Sequence, residues 1–207
     1  IDVEGNSYVD LCAGFGVLAF GHNSDIQKSV FSQLISDMPP IVHGMGDVYA
    51  SKDKVELLEA MRSILPAHLT KGALAISGGQ AVELAVKTSL LSGKSTIISF
   101  KGSYHGLDLG ILPVTSRQDF KSPFKSWLSD YQLELPFLCS REELVSTIEG
   151  LSGDVAGLIV EPVQGRAGGR LSNESWLEML REVCSENNID LIFDEVFTGL
   201  GRIGSYT

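Results

Sequence analysis

Val155-Ala156-Gly157-Leu158-Ile159-Val160-Glu161-Pro162 is an unbroken apolar run that stops at a carboxylate and a proline. A run with no polar alternation has no solvent face, so it reads as a strand covered on both sides, the situation of a parallel sheet between helices. Its neighbours agree. Residues 174–186 carry Trp176, Leu180 and Val183 at helical spacing, Asn187-Asn188 offers a left-handed stop, and Leu191-Ile192-Phe193 runs into Asp194-Glu195. Upstream, Ser140-Arg141-Glu142-Glu143 is a capping box that opens a helix to Ile148, and a short strand is expected within 132–138.

Further out the same rhythm holds. Thr96 to Phe100 reads as a strand, preceded by a helix over 80–91 with Ala81, Leu84, Ala85 and Leu91 on one face. A short apolar strand is expected at 73–76, running through Ser77-Gly78-Gly79 into that helix. Helices are expected at 24–38, capped by Ser24 and stopped by Pro39-Pro40, and at 51–65, ended by Pro66. Residues 7–11 read as a strand after the turn Glu4-Gly5-Asn6, and 102–125 as a long loop of the kind that often carries function. Strands separated by helices imply an α/β fold with a mostly parallel sheet and right-handed crossovers.

Composition sets the bounds. The 207 residues suffice for one domain and a real core; 43% are hydrophobic and 20% charged, which argues against global disorder. The formal net charge of -10 repels phosphate backbones and anionic lipid, so neither nucleic acid nor membrane is expected as a partner. No apolar stretch approaches the ~20 residues of a membrane helix. Cys12, Cys139 and Cys184 are scattered, which suggests free thiols in a reducing, cytoplasmic setting, and no His or Cys spacing suggests a metal. The chain opens on Ile1 without a signal sequence and is expected to belong to a longer reading frame.

Ligands of such sheets bind beyond the carboxyl ends of the strands. Three segments put unusual residues there. Ser77-Gly78-Gly79-Gln80 is a phosphate cradle in outline, because glycines let backbone approach an anion and the helix start offers unpaired N–H groups. A plain glycine turn is the alternative. Ser103-Tyr104-His105-Gly106 places an aromatic ring at a strand end, either to stack on a planar heterocycle or to cover the sheet edge; His105 reads as structural. Asp194 ends a buried strand and needs a partner, either a cationic ligand atom or an arginine such as Arg202. Glu161 ends the neighbouring strand in the same way.

Taken together, these segments resemble the class III aminotransferases of the fold-type I pyridoxal-phosphate enzymes. Asp2-Val3-Glu4-Gly5-Asn6-Ser7-Tyr8-Val9-Asp10 is similar to the family's D-x-x-G-x-x-Y-x-D, and Gly21-His22 to its G-H. Residues 77–83 resemble S-G-[SA]-E-A-x-E, and Tyr104-His105-Gly106 resembles [FY]-H-G. Glu161-Pro162-Val163-Gln164-Gly165 resembles E-P-[VI]-Q-G, and residues 194–204 resemble D-E-V-Q-T-G-F-G-R-T-G. Gln80, Phe197 and Arg166 depart from the common residues at their positions.

The resemblance implies the large domain of a pyridoxal-phosphate transferase of the aspartate-aminotransferase type, incomplete, with residues 1–50 leading into a cofactor-binding part at 51–207 and the small domain absent. It implies pyridoxal 5'-phosphate as cofactor, an amino donor and a carbonyl acceptor as substrates, and a homodimer. Gly78, Gly79 and Gln80 would hold the phosphate. Tyr104 and Val196 would flank the ring, Asp194 would pair with the pyridine nitrogen, and Glu161 would lie near the cofactor hydroxyl or the substrate. The family's Schiff-base lysine falls beyond Thr207; none of Lys87, Lys94, Lys101, Lys121 and Lys125 stands at its motif position. The 207 residues alone are therefore expected to be inactive, and to need strands from a longer chain or a second chain. Two other activities are compatible with the motifs: an intramolecular amino shift on the same scaffold, and a non-catalytic fragment.

Overall fold

A computed structural model describes residues 1–37 and 48–206. Contacts divide the chain into two compact units, Ile1–Ile64 and Leu65–Thr207. The first holds α1 (Asp25–Asp37) and α2 (Lys52–Ile64). Ser24 and Gln27 cap α1 reciprocally, each backbone N–H donating to the other's side-chain oxygen at 3.1 and 3.3 Å. The strand expected at 7–11 does not form. The Asp10 carboxylate accepts the backbone N–H groups of Cys12 and Ala13 and turns the chain there, while Tyr8, Val9 and Leu11 stay exposed and give no face to bury. Met38, Pro39 and Pro40 lie outside the described residues.

The second unit holds α3 (Gly78–Leu90), β1 (Thr96–Phe100), α4 (Gln118–Lys121), β2 (Gln132–Leu135), α5 (Arg141–Gly150), β3 (Val155–Val160), β4 (Val163–Gln164), β5 (Arg170–Leu171), α6 (Glu174–Glu186) and β6 (Asp190–Phe193). Four of the strands form one sheet in the order β2-β1-β3-β6, and every neighbouring pair is parallel. β4 and β5 make a separate antiparallel ribbon.

All of β3 is buried, as its unbroken apolar run requires, and β1 is buried from Ile97 onward. Strand alternation then splits the core into two layers. Ile98, Phe100, Leu158 and Val160 face Leu144 and Ile148 of α5 and Trp176, Leu180, Val183 and Cys184 of α6. Ile97, Ala156 and Ile159 face Val82 and Val86 of α3 together with Ile111 and Val114. Trp176 sets the first layer: its ring packs edge-on to Phe100 and Phe137 at 5.0 and 5.1 Å, and its indole N–H donates to the Cys139 carbonyl.

Two expectations for this unit need correction. Residues 73–76 form no strand: Leu74 and Ile76 are exposed, no described strand lies alongside, and an unpartnered apolar segment gains nothing by extending into a ladder. The stretch 102–125 is not a structureless loop. It folds into a 3-10 turn at Leu112–Val114, α4, and a 3-10 segment at Ser122–Trp127, because Leu112, Pro113 and Val114 bury themselves against the sheet.

Leu158 is fully buried at the centre of the sheet, whereas Leu171 on the ribbon is 69% exposed. Leu158→Ala should destabilise the complete protein by about 2–5 kcal/mol and Leu171→Ala by no more than ~0.5 kcal/mol, read from denaturant midpoints. Equal shifts would contradict the two-layer core.

Candidate active site

The site lies where four chain segments meet at the carboxyl ends of β1, β3 and β6. The first is the start of α3. Ser77 is extended (φ -148, ψ 159), and its hydroxyl accepts the Gln80 N–H at 3.2 Å, so Gly78 and Gly79 form the helix's first turn. First-turn N–H groups have no carbonyl partner within a helix and sit at the positive end of its dipole. Packing is close here. A methyl group added at Gly78 would come within 2.8 Å of Val196 Cγ2, and one at Gly79 within 2.6 Å of Asp108 Oδ2.

The second segment follows β1. Ser103 donates to the Val114 carbonyl at 2.8 Å, and Thr115 accepts the His105 N–H at 3.0 Å while donating to the Gly106 carbonyl at 2.8 Å. These buried bonds fix the backbone of residues 103–106. Gly106 takes φ +120, and its backbone presses on Gly79 so closely that an added methyl would sit 2.8 Å from the Gly79 Cα.

The third and fourth segments are the ends of β3 and β6. Glu161 is 4% exposed and accepts the Tyr104 N–H at 2.9 Å. Burial pushes its carboxyl up to about 7, against the pull of the Tyr104 N–H and the His105 ring; the Asp194 charge adds to the rise. Asp194 is 7% exposed. One of its oxygens accepts the Val196 N–H at 3.1 Å, and the other meets His105 Nδ1 at 2.7 Å. The buried acid's partner is thus His105 rather than an arginine, and His105 is the residue whose role the sequence left structural. Burial and the Asp194 charge also raise the Glu195 carboxyl.

The structure therefore brings Gly78, Gly79, Tyr104, Glu161, Asp194 and Val196 to one sheet edge. Gln80 turns back on its own loop, where its side chain accepts the Ile76 N–H at 3.4 Å. Three of the lysines are engaged elsewhere: Lys87 pairs with Glu83, Lys94 donates to the Asn188 carbonyl, and Lys121 donates to the Pro113 carbonyl. Among the described residues, no group of His, Cys, Asp or Glu is arranged to hold a metal ion, and no helix is long and apolar enough to cross a membrane.

Ser103 and Gln164 stand in the motif segments without any sign of what they hold, and Thr115 stands in none. Thr115 and Ser103 act only through the fold, and Gln164, 1% exposed, donates to the Lys101 carbonyl at 3.2 Å while its side-chain oxygen has no partner. His105 Nε2 and Thr198 Oγ1 are likewise buried without a partner.

The family model described as "Aminotransferase class-III" matches residues 1–206. The chain is 32% identical over 206 residues to an acetylornithine aminotransferase of Methanopyrus kandleri, covering 99% of this chain and 51% of that one. It is also 32% identical over 204 residues to a [LysW]-aminoadipate semialdehyde/glutamate semialdehyde transaminase of Sulfurisphaera tokodaii, covering 98% and 50%. The chain thus spans about half the length of the curated relatives it matches. Among solved structures, a transaminase from the marine bacterium Virgibacillus superposes with a TM-score of 0.88 at 26% identity, covering 99% of this chain and 49% of that one. An adenosylmethionine-8-amino-7-oxononanoate aminotransferase from Methanocaldococcus jannaschii gives 0.85 at 30% identity, covering 98% and 48%.

The raised Glu161 carboxyl predicts a pH signature. A group whose folded pKa lies above its ordinary 4.5 stabilises the fold in its protonated form, fully below about 4.5 and no longer above about 7. Between pH 4.5 and pH 7, parent stability should therefore fall relative to Glu161→Gln by on the order of 3 kcal/mol. Denaturant midpoints of the two proteins across that range read the difference; parallel curves would contradict the assignment.

Proposed function

The chain belongs to the class III aminotransferases, and on that premise we propose that it forms the cofactor-binding part of a pyridoxal-phosphate-dependent aminotransferase. The reaction moves an amino group between an amine or amino acid and an oxo acid or aldehyde. The observation that carries this reading is the buried His105–Asp194 pair lying beside a two-glycine helix start. One end of such a site suits a phosphate and the other a protonated ring nitrogen.

The residues fit the cofactor in kind. Gly78 and Gly79 offer N–H groups to the phosphate, and side chains there would crowd Val196 and Asp108. Val196 is 60% exposed and offers an apolar wall to a ring face, with Tyr104 for the other. When bound, pyridoxal phosphate supplies an electron sink for negative charge developing at the substrate carbon. The chain's own part is electrostatic. Asp194, desolvated, would hold a proton on the pyridine nitrogen, and the Val196 N–H and the His105 ring keep its carboxylate aimed. Glu161 holds the Tyr104 backbone in place and, with its carboxyl near neutrality, can take or give a proton at the site's edge.

In the same reading, residues 1–50 lead into the large domain and the protein works as a homodimer in the cytoplasm. Val9, Leu11 and Phe20 are 85%, 93% and 76% exposed, and apolar surface of this kind is compatible with cover by a second chain. The thiols of Cys139 and Cys184 are free and buried, as a reducing compartment allows.

Asp194→Ala in the complete enzyme should slow single-turnover amino transfer by about 100-fold or more. Cofactor affinity should fall far less, because the phosphate contacts remain. Stopped-flow absorbance reads the rate and equilibrium dialysis the affinity. A near-parent rate would contradict the role given to Asp194.

A further inference from the structure

Arg166 lies in the 3-10 turn Gly165–Ala167 that follows β4, and the sequence singles it out as a departure. Its guanidinium sits over the Tyr104 ring at 4.5 Å from the centroid and 5.9 Å from that of Phe120, and the two rings meet edge-on at 6.1 Å. The turn beneath it is tied to the end of β1 by the Gln164 amide on the Lys101 carbonyl. Tyr104 in turn is held by Glu161 and precedes His105, the partner of Asp194. The cation is thus built into the wall of the site.

Arg117, over the Phe120 ring at 4.4 Å, is paired with Asp119. Among the described residues no carboxylate pairs with Arg166; its contacts are ring faces. Neither ring contact pairs the guanidinium with a carboxylate, so its N–H donors remain for one. Two aromatic contacts also restrict the side chain in advance, which lowers the cost of binding. A fixed planar fork with open donors matches a carboxylate, which it can grip by two parallel hydrogen bonds.

We propose that Arg166 is a specificity-determining residue that binds a carboxylate of the substrate, so that the enzyme selects amino donors or oxo acceptors carrying such a group. The inference rests on the aminotransferase reading for the word substrate, while the binding event itself can be measured without turnover.

The test is calorimetric titration of the complete protein, with and without pyridoxal phosphate, using glutarate and its uncharged diamide. Arg166→Gln should weaken glutarate by about tenfold or more and leave the diamide within about twofold; Arg166→Lys, which keeps charge but loses the fork, should fall between. In steady state, Arg166→Gln should raise KM for carboxylate-bearing donors and leave it unchanged for donors without one. Glutarate affinity that is undetectable in the parent, unchanged in Arg166→Gln, or lost in step with the diamide overturns the proposal. So does inorganic phosphate competing as well as glutarate, which would make Arg166 a phosphate ligand. A parent that takes up no cofactor overturns the aminotransferase reading instead, and the glutarate titration on that protein still decides Arg166.

Discussion

A carboxylate at the end of a central strand, 7% exposed, must be answered by a partner, and Asp194 is answered by His105 across 2.7 Å. That contact joins the end of β6 to the end of β1 over a separation of 89 residues, with β3 between them. Much of the site depends on it. His105 can reach Asp194 because Thr115 and Ser103 pin the loop after β1, and that loop in turn puts Gly106 against Gly79 at the start of α3. Removing one partner would leave the other buried and unpaired, a penalty that the sheet's hydrophobic layers would have to absorb.

The chemistry of the edge follows from its asymmetry. The α3 start presents unpaired N–H groups and the positive end of a dipole, whereas the ends of β3 and β6 present Glu161 and Asp194. A ligand that satisfies both must be anionic at one end and protonated at the other, with a flat body between for Tyr104 and Val196. Pyridoxal phosphate has that distribution of charge. The exposed, ring-stacked Arg166 then adds a cation on the flank, in a protein whose net charge is -10.

What the sequence revealed was local or period-bound. β1 and β3 follow from apolar runs, α6 from Trp176, Leu180 and Val183 at helical spacing, and α5 from its Ser140 cap, whose hydroxyl accepts the Glu143 N–H. The motif segments at 77–80, 103–106, 161–165 and 194–196 point to residues that the structure brings to one sheet edge. What stayed hidden was pairing. Nothing in the spacing of His105 and Asp194 says that β1 and β6 flank β3, so the acid's partner could equally have been Arg202. Nor does the apolar character of residues 73–76 reveal whether another strand lies beside them, and with none described they stay exposed. The stacking of Arg166 on Tyr104 joins two loops from different strand ends, which only the sheet order brings together.

The central claim is that these four segments form a single cofactor site. A crystal structure of the complete protein grown with pyridoxal phosphate tests it most directly. The account predicts phosphate oxygens on the Gly78 and Gly79 N–H groups, the pyridine nitrogen on the Asp194 carboxylate, and the His105–Asp194 pair intact. A ring bound elsewhere, or a phosphate held away from the α3 start, would contradict it.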